Sequence, residues 1–423
     1  MKPKLKKLPN KLRVLTIPRE DTKAVTVLVL IKVGSRNEPA KLNGSSHFIE
    51  HLLFKGTEKR PNTQIISQEL DKIGAEYNAF TGKDHTGFYI KAKANKLDFA
   101  LDMLSDMLFN SKFDKEEIER ERGVIMEEMN MYEDTPMIYC AEKLEEMMFG
   151  TSNPLGRLTI GPRSVIKKVS RQQLVDYKED FYKMNNMVIA VSGMLPKNTS
   201  NKIREYFHDK LPQGKIKEIQ KFINVQQNKK ILLNYKKTEQ VHLAMGFHGH
   251  GYSDKDYPAE VLLAVILGGN MSSRLFINVR ERLGLAYFIR TDNATYEDTG
   301  ALLVQAGLDK SRIYEAITAI LDELKKVKEG GVDKKELKRA QDYLSGRVAL
   351  DLEDSSAMAG WYGKQELLMH ELKSPEEKLR EYKAVTSNDI KRVAKKIFQN
   401  KNLNLSIIGP YRDDKKFKKI LSI

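Results

Sequence analysis

The sequence predicts an α+β chain of two homologous halves, each a mixed β-sheet with helices packed on it. The first observation behind this is a diverged repeat. Val25-Thr26-Val27-Leu28 opens one half and Val241-His242-Leu243-Ala244 the other; Met187-Val188-Ile189-Ala190 and Leu403-Asn404-Leu405-Ser406 close them, at one offset (241 − 25 = 216, 403 − 187 = 216). The second is alternation: short runs of Val, Ile and Leu bounded by Gly alternate with amphipathic segments at residues 97–108, 138–149 and 314–328. The third is length, since 423 residues exceed one ordinary domain. Pro212 and Gly214 mark the join, which divides the chain into residues 1–213 and 214–423.

Composition narrows the function classes. Hydrophobic residues make up 41% and charged ones 30%, the balance of an ordinary soluble globular chain. The Lys-rich opening is followed by no uncharged apolar core, so neither a secretory leader nor membrane insertion is expected. The net charge of +15 invites a nucleic-acid reading, but Lys and Arg are spread along the chain with little aromatic interleaving. A solvated, lysine-rich surface and no nucleic-acid partner are expected. The single cysteine, Cys140, excludes an intramolecular disulfide and fits a reducing, cytoplasmic compartment; it is expected to be a small buried helix residue.

In the first half, His47-Phe48-Ile49-Glu50-His51 carries the chemistry. On a helix, His47 and His51 lie one turn apart on one face and reach a single ion, with Glu50 beside them. Neutral imidazole is a good zinc ligand, and a nearby carboxylate outside the ligand set can take a proton from water. His-x-x-Glu-His is the inverzincin order. A catalytic zinc needs a third protein ligand, and residues 115–132 offer one. With Ile118, Ile125, Met129 and Tyr132 defining an apolar stripe, Glu121 and Glu128 fall on or beside it and Glu127 opposite. Inward carboxylates need a cationic or hydrogen-bonding partner. Glu128 is therefore the expected third ligand, with Glu121 hydrogen-bonding a ligand histidine; the alternative is a structural network with Arg or Lys.

With these residues in hand, the chain resembles the pitrilysin family of inverzincin zinc metallopeptidases, closest to its bacterial processing members and the β subunit of mitochondrial processing peptidase. The likeness runs through His47 to His51 with Phe54-Lys55-Gly56-Thr57, then Asn78-Ala79-Phe80-Thr81, Glu119 to Glu128, Pro154-Leu155-Gly156, and Arg280 to Tyr287. Glu128 follows His51 by the family's spacing (128 − 51 = 77). The resemblance implies two α+β domains, one Zn²⁺ per subunit on His47, His51 and Glu128, Glu50 as general base, and Glu121 supporting a ligand histidine. It also implies that Asn78, Ala79 and Phe80 bind an extended peptide along a strand edge.

The second half has lost the metal site: Leu263, Ile266 and Leu267 stand where the offset puts His47, Glu50 and His51. It keeps Arg280 and Tyr287, suitable donors to an oxyanion and a substrate carbonyl. In the family this pair serves the opposing subunit's zinc within a closed chamber, so a homodimer with two composite sites is expected. The resulting reading is a zinc endopeptidase acting on peptides or unfolded segments. The alternatives are a dedicated precursor-processing peptidase and a non-catalytic peptide-binding or structural homologue. His85 is expected to be a surface or turn residue, His248-Gly249-His250 a polar loop, and Gly268-Gly269 a helix end.

Overall fold

The computed structural model describes residues 3–208 and 214–423. The expected join at 213/214 abuts residues 209–213, outside the described residues. The first set of strands is β1 (Lys4–Lys7), β2 (Arg13–Pro18), β3 (Ala24–Ile31), β4 (Glu76–Thr81), β5 (Thr86–Lys93) and β6 (Met187–Gly193), with aliphatic and β-branched runs in β2, β3 and β6 and an exposed, Lys-rich β1 at one edge. A second set is β7 (Lys230–Tyr235), β8 (Gln240–Gly249), β9 (Ala286–Thr295), β10 (Gly300–Asp309) and β11 (Asn404–Gly409). They make two sheets, ordered β1-β2-β6-β3-β5-β4 and β7-β11-β8-β10-β9. Each is mixed: β2 runs parallel to β6 and β7 to β11, and the other pairs are antiparallel. The opening and closing runs of the repeat are neighbours in both sheets, β3 beside β6 and β8 beside β11.

Among the helices of the described residues, those used below are α1 (Ser45–Leu52), α2 (Leu97–Asn110), α3 (Lys115–Asp134), α4 (Pro136–Phe149), α5 (Tyr257–Gly268), α6 (Ile313–Gly330) and α7 (Ser355–Leu368). Three match the amphipathic segments read from sequence, and α5 ends at Gly268 as its Gly pair indicates. Among the described residues no helix is long and apolar enough to cross a membrane.

The chain forms two compact units, each discontinuous in sequence. The first contains residues up to Glu128, Arg157–Gln220 and Val348–Pro375; the second contains Met129–Gly156, Lys221–Arg347 and Glu376–Ile423. The two repeats thus trade a helix. Shifted by the repeat offset, α4 coincides with α7 to within three residues, yet α7 lies in the first unit and α4 in the second. In the first unit a Cβ at Gly363 of α7 would stand 2.9 Å from Leu30 of β3 and 3.3 Å from Ala190 of β6. Ser355 and Thr26 join hydroxyls at 2.7 Å, and Arg13 meets Glu366 in a buried ion pair at 3.5 Å.

In the second unit Cys140, Leu144, Met148 and Phe149 of α4 pack with Ala244, Leu303 and Ile408 of the sheet. Each large apolar side chain so buried contributes about 1.5–3 kcal/mol. Cys140 is the buried helix residue expected: burial pushes its thiol up to about 12, and Sγ donates to the Ser406 carbonyl at 3.3 Å. A Cβ on Gly246 of β8 would meet Met148 Sδ at 2.6 Å and Leu144 Cδ2 at 2.9 Å. Gly246→Val overpacks this interface and is expected to destabilise the protein by about 1–3 kcal/mol, read as a lowered thermal midpoint.

Candidate metal site

α1 has eight residues, too few to be stable alone, so its placement comes from packing and from what meets its ends. Phe48, Ile49 and Leu52 are buried on one side, leaving His47, Glu50 and His51 on another. The helix starts at Gly44, whose φ of +99° is left-handed and whose Cβ would lie 2.6 Å from the Ile160 carbonyl, so glycine fits there. Gly44 cannot supply a capping side chain. Glu38 does so from six residues upstream. Its Oε2 accepts from the Gly44 N–H at 2.6 Å and Asn43 Nδ2 at 2.9 Å, and its Oε1 from the Ser46 N–H at 2.7 Å. A carboxylate suits a helix N-terminus. Even so, complete burial outweighs these donors and raises the Glu38 carboxyl to about 7.

The His47 and His51 rings stand edge to face with centroids 4.6 Å apart. From α3, Glu128 Oε2 lies 3.5 Å from His47 Nε2 and 3.6 Å from His51 Nε2. Two ligands each about 2.0–2.1 Å from a tetrahedral zinc stand roughly 3.4 Å apart, so the spacing of these three atoms fits one ion. Burial first, then the neighbouring His51, lower His47 to about 3; the imidazole is neutral and free to ligate at neutral pH. Glu121, almost wholly buried, accepts from His51 Nδ1 at 3.1 Å and pairs with Lys55 Nζ at 2.7 Å. Burial alone raises a carboxyl, but these two partners hold Glu121 below the usual range. Glu127 points out to solvent and Glu128 is half-buried, the distinction the helical stripe draws. Glu50 is raised by burial, partly offset by the Thr81 hydroxyl, which donates to its Oε2 at 2.5 Å.

Asn78, Ala79 and Phe80 lie on β4, an edge strand of the first sheet, with Asn78 and Phe80 exposed. Arg280 and Tyr287 belong to the second unit. Arg280 sits in a seven-residue π-helical turn, Phe276–Arg282, with its guanidinium 4.4 Å over the Phe276 ring. Tyr287, 69% exposed, opens β9. At the positions matching His47, Glu50 and His51, Leu263, Ile266 and Leu267 are buried on α5. His85 is in the β4–β5 turn, edge-on to Phe80.

The expectation of a polar loop at His248-Gly249-His250 is overturned. β8 continues through Gly249, both histidines are buried, and His250 Nδ1 lies 2.5 Å from Glu260 on α5. The acidic partner comes from ten residues on, beyond the reach of a local motif. Three contributors at the metal site also escaped the sequence reading: Glu38, Lys55 and Thr81. Lys55 and Thr81 stand inside motifs already singled out, where their charge and hydroxyl were the available signals; Glu38 carries no local signal.

Residues 13–163 match the insulinase profile (peptidase family M16), and residues 168–344 match the M16 inactive domain. The chain belongs to this family of peptidases. A Streptomyces coelicolor protein named an uncharacterized zinc protease is 34% identical over 415 residues, covering 96% of this chain and 89% of the relative. One so named from Bacillus subtilis is 32% identical over 401 residues, covering 95% and 97%. The fold is that of a Helicobacter pylori protease crystal structure (TM-score 0.88, 24% identity, 97% and 99% covered). It is equally that of a Pseudomonas fluorescens structure described as an M16 inactive domain (TM-score 0.90, 19% identity, 97% and 99% covered).

Glu121→Gln is expected to weaken zinc binding by about 10–100-fold in competition with a chromogenic chelator. Glu38, raised from an ordinary 4.5 to about 7, stabilises the fold most below pH 4.5 and loses that contribution as pH rises through about 7. Across that window the stability difference between wild type and Glu38→Gln, measured by urea unfolding, is expected to shift toward the variant by up to about 1.4 kcal/mol per pH unit.

Proposed function

We propose that this protein is a zinc-dependent endopeptidase that hydrolyses peptides or unfolded segments within a closed homodimeric chamber. The observation that carries the reading is the convergence of His47 Nε2, His51 Nε2 and Glu128 Oε2 beside a half-buried, otherwise unassigned carboxylate, Glu50. Zinc held by these three residues supplies Lewis-acid polarisation of the scissile carbonyl and lowers the pKa of water. Glu50 takes the proton of the attacking water and returns it to the leaving amine. Glu121 fixes His51 by its Nδ1, which leaves Nε2 for the ion. The β4 edge at Asn78, Ala79 and Phe80 pairs with the backbone of an extended substrate.

In this reading residues 1–213 are the zinc-binding catalytic domain. Residues 214–423 are the homologous domain that contributes Arg280 and Tyr287 to the partner subunit's zinc, where they donate to the carbonyl oxygen as it gains charge. The buried thiol of Cys140 and the absence of a second cysteine suit a cytoplasmic setting.

Cleavage of an internally quenched peptide library tests this. Chelator is expected to abolish it, Glu50→Gln to lower kcat/KM by about 10²–10⁴ and Tyr287→Phe by about 10²–10³. After subunit exchange, an equal mixture of the two variants is expected to regain about a quarter of wild-type activity, since half of the dimers then carry one intact site of two. A mixture no better than its components would place the pair's action elsewhere, and a library untouched by zinc-loaded wild type would sink the endopeptidase reading.

A further inference from the structure

Along β4 the side chains alternate, with Glu76, Asn78 and Phe80 exposed and Tyr77, Ala79 and Thr81 half-buried. Thr81, the last residue of the strand, reaches α1 and donates to Glu50. Among the described residues, no other group donates a hydrogen bond to the Glu50 carboxylate. A glutamate has three side-chain torsions, and a general base works only when its oxygen comes within about 2.6–3.2 Å of the proton it removes. A carboxylate held at one oxygen by one fixed donor keeps its other oxygen in a defined direction.

The Thr81 hydroxyl is such a donor. Its β-branched side chain is stiff about χ1, and its backbone is anchored on both sides. Thr81 pairs with Thr86 in the β4–β5 ladder, and the turn between them closes through the Gly82 N–H donating to the His85 carbonyl at 2.9 Å. The Ser35 N–H donates to the Gly82 carbonyl and the Arg36 N–H to the Lys83 carbonyl, at 3.1 and 3.0 Å. Gly34 permits this approach, since a Cβ there would lie 2.3 Å from the Gly82 oxygen. Asp84, in the same turn, meets Arg36 at 3.3 Å with both side chains sealed from solvent.

We propose that Thr81 is the positioning residue for the base: its hydroxyl, set at the end of a strand stapled by the Arg36–Asp84 pair, aims the Glu50 carboxylate. The inference rests on Glu50 acting as base. It adds that the strand offered to substrate and the group that activates water share one rigid reference, so a peptide registered on Asn78–Phe80 is registered to the base as well.

The test compares zinc-loaded wild type with Thr81→Val, which keeps the shape and removes the donor, Thr81→Ser, which keeps the donor, Glu50→Gln, and the Glu50→Gln/Thr81→Val double variant. Thr81→Val is expected to lower kcat about tenfold or more, with KM, bound zinc and the thermal midpoint of the metal-free protein near wild type. Thr81→Ser is expected to recover most of that loss, and the double variant to be no slower than Glu50→Gln alone. Should Thr81→Val not fold, Thr81→Ala takes its place.

The proposal is overturned by an unchanged kcat in Thr81→Val, by a Ser variant as slow as Val, by a further loss in the double variant, or by lost zinc. These outcomes leave the base reading intact so long as Glu50→Gln is inactive. A Glu50→Gln protein with wild-type turnover removes both.

Discussion

The candidate metal site depends on carboxylates turned inward, where burying an unpaired charge costs several kcal/mol. Glu121 on α3 is the clearest case. Lys55 meets one of its oxygens and His51 the other, so the charge is compensated and the imidazole is fixed at Nδ1 at the same time. That second effect decides which ring nitrogen faces Glu128. At the opposite end of α1, Glu38 holds the first turn through its backbone N–H groups. An eight-residue helix that could not stand alone is thus held from both ends by acidic side chains, neither of which belongs to the candidate ligand set.

The two repeats show what the same scaffold does without that arrangement. α5 occupies the place of α1, but Leu263, Ile266 and Leu267 point into its core, which extends through Phe247, Ile317 and Leu405. The buried polar cluster of that repeat lies elsewhere: Glu260 accepts from both the backbone N–H and Nδ1 of His250, while Asp256 is bonded by Arg392 and Lys396. There His250, Asp254 and Asp256 also bring potential ligand atoms within 4.8 Å of one another, but with one imidazole and two carboxylates where the first repeat gathers two imidazoles and one carboxylate.

Much of this was legible because helical periodicity is local. The His47/His51 spacing and the stripe that separates Glu128 from Glu127 need only the geometry of one helix, and the strand runs at a fixed offset need only self-comparison. What escaped was tertiary. Glu38 caps a helix across a loop, the Thr81 hydroxyl reaches a different element, and His250 finds an acid ten residues on. Periodicity marks residues 138–149 as amphipathic but says nothing of which sheet will receive the apolar face, so the traded helices α4 and α7 were invisible until the contacts were known.

That trade has a consequence for the order in which the protein is made. All six strands of the first sheet exist once Gly193 has been added, but the helix that covers Leu28 and Leu30 is complete only at Leu368, 175 residues later (368 − 193). At roughly 5–20 residues per second, the ribosome leaves that aliphatic face without its native cover for about ten to thirty-five seconds. α4 has the reverse history, since it emerges before any strand of the sheet it serves. The first core therefore cannot be finished during synthesis of its own half, whereas the second meets its borrowed helix already made.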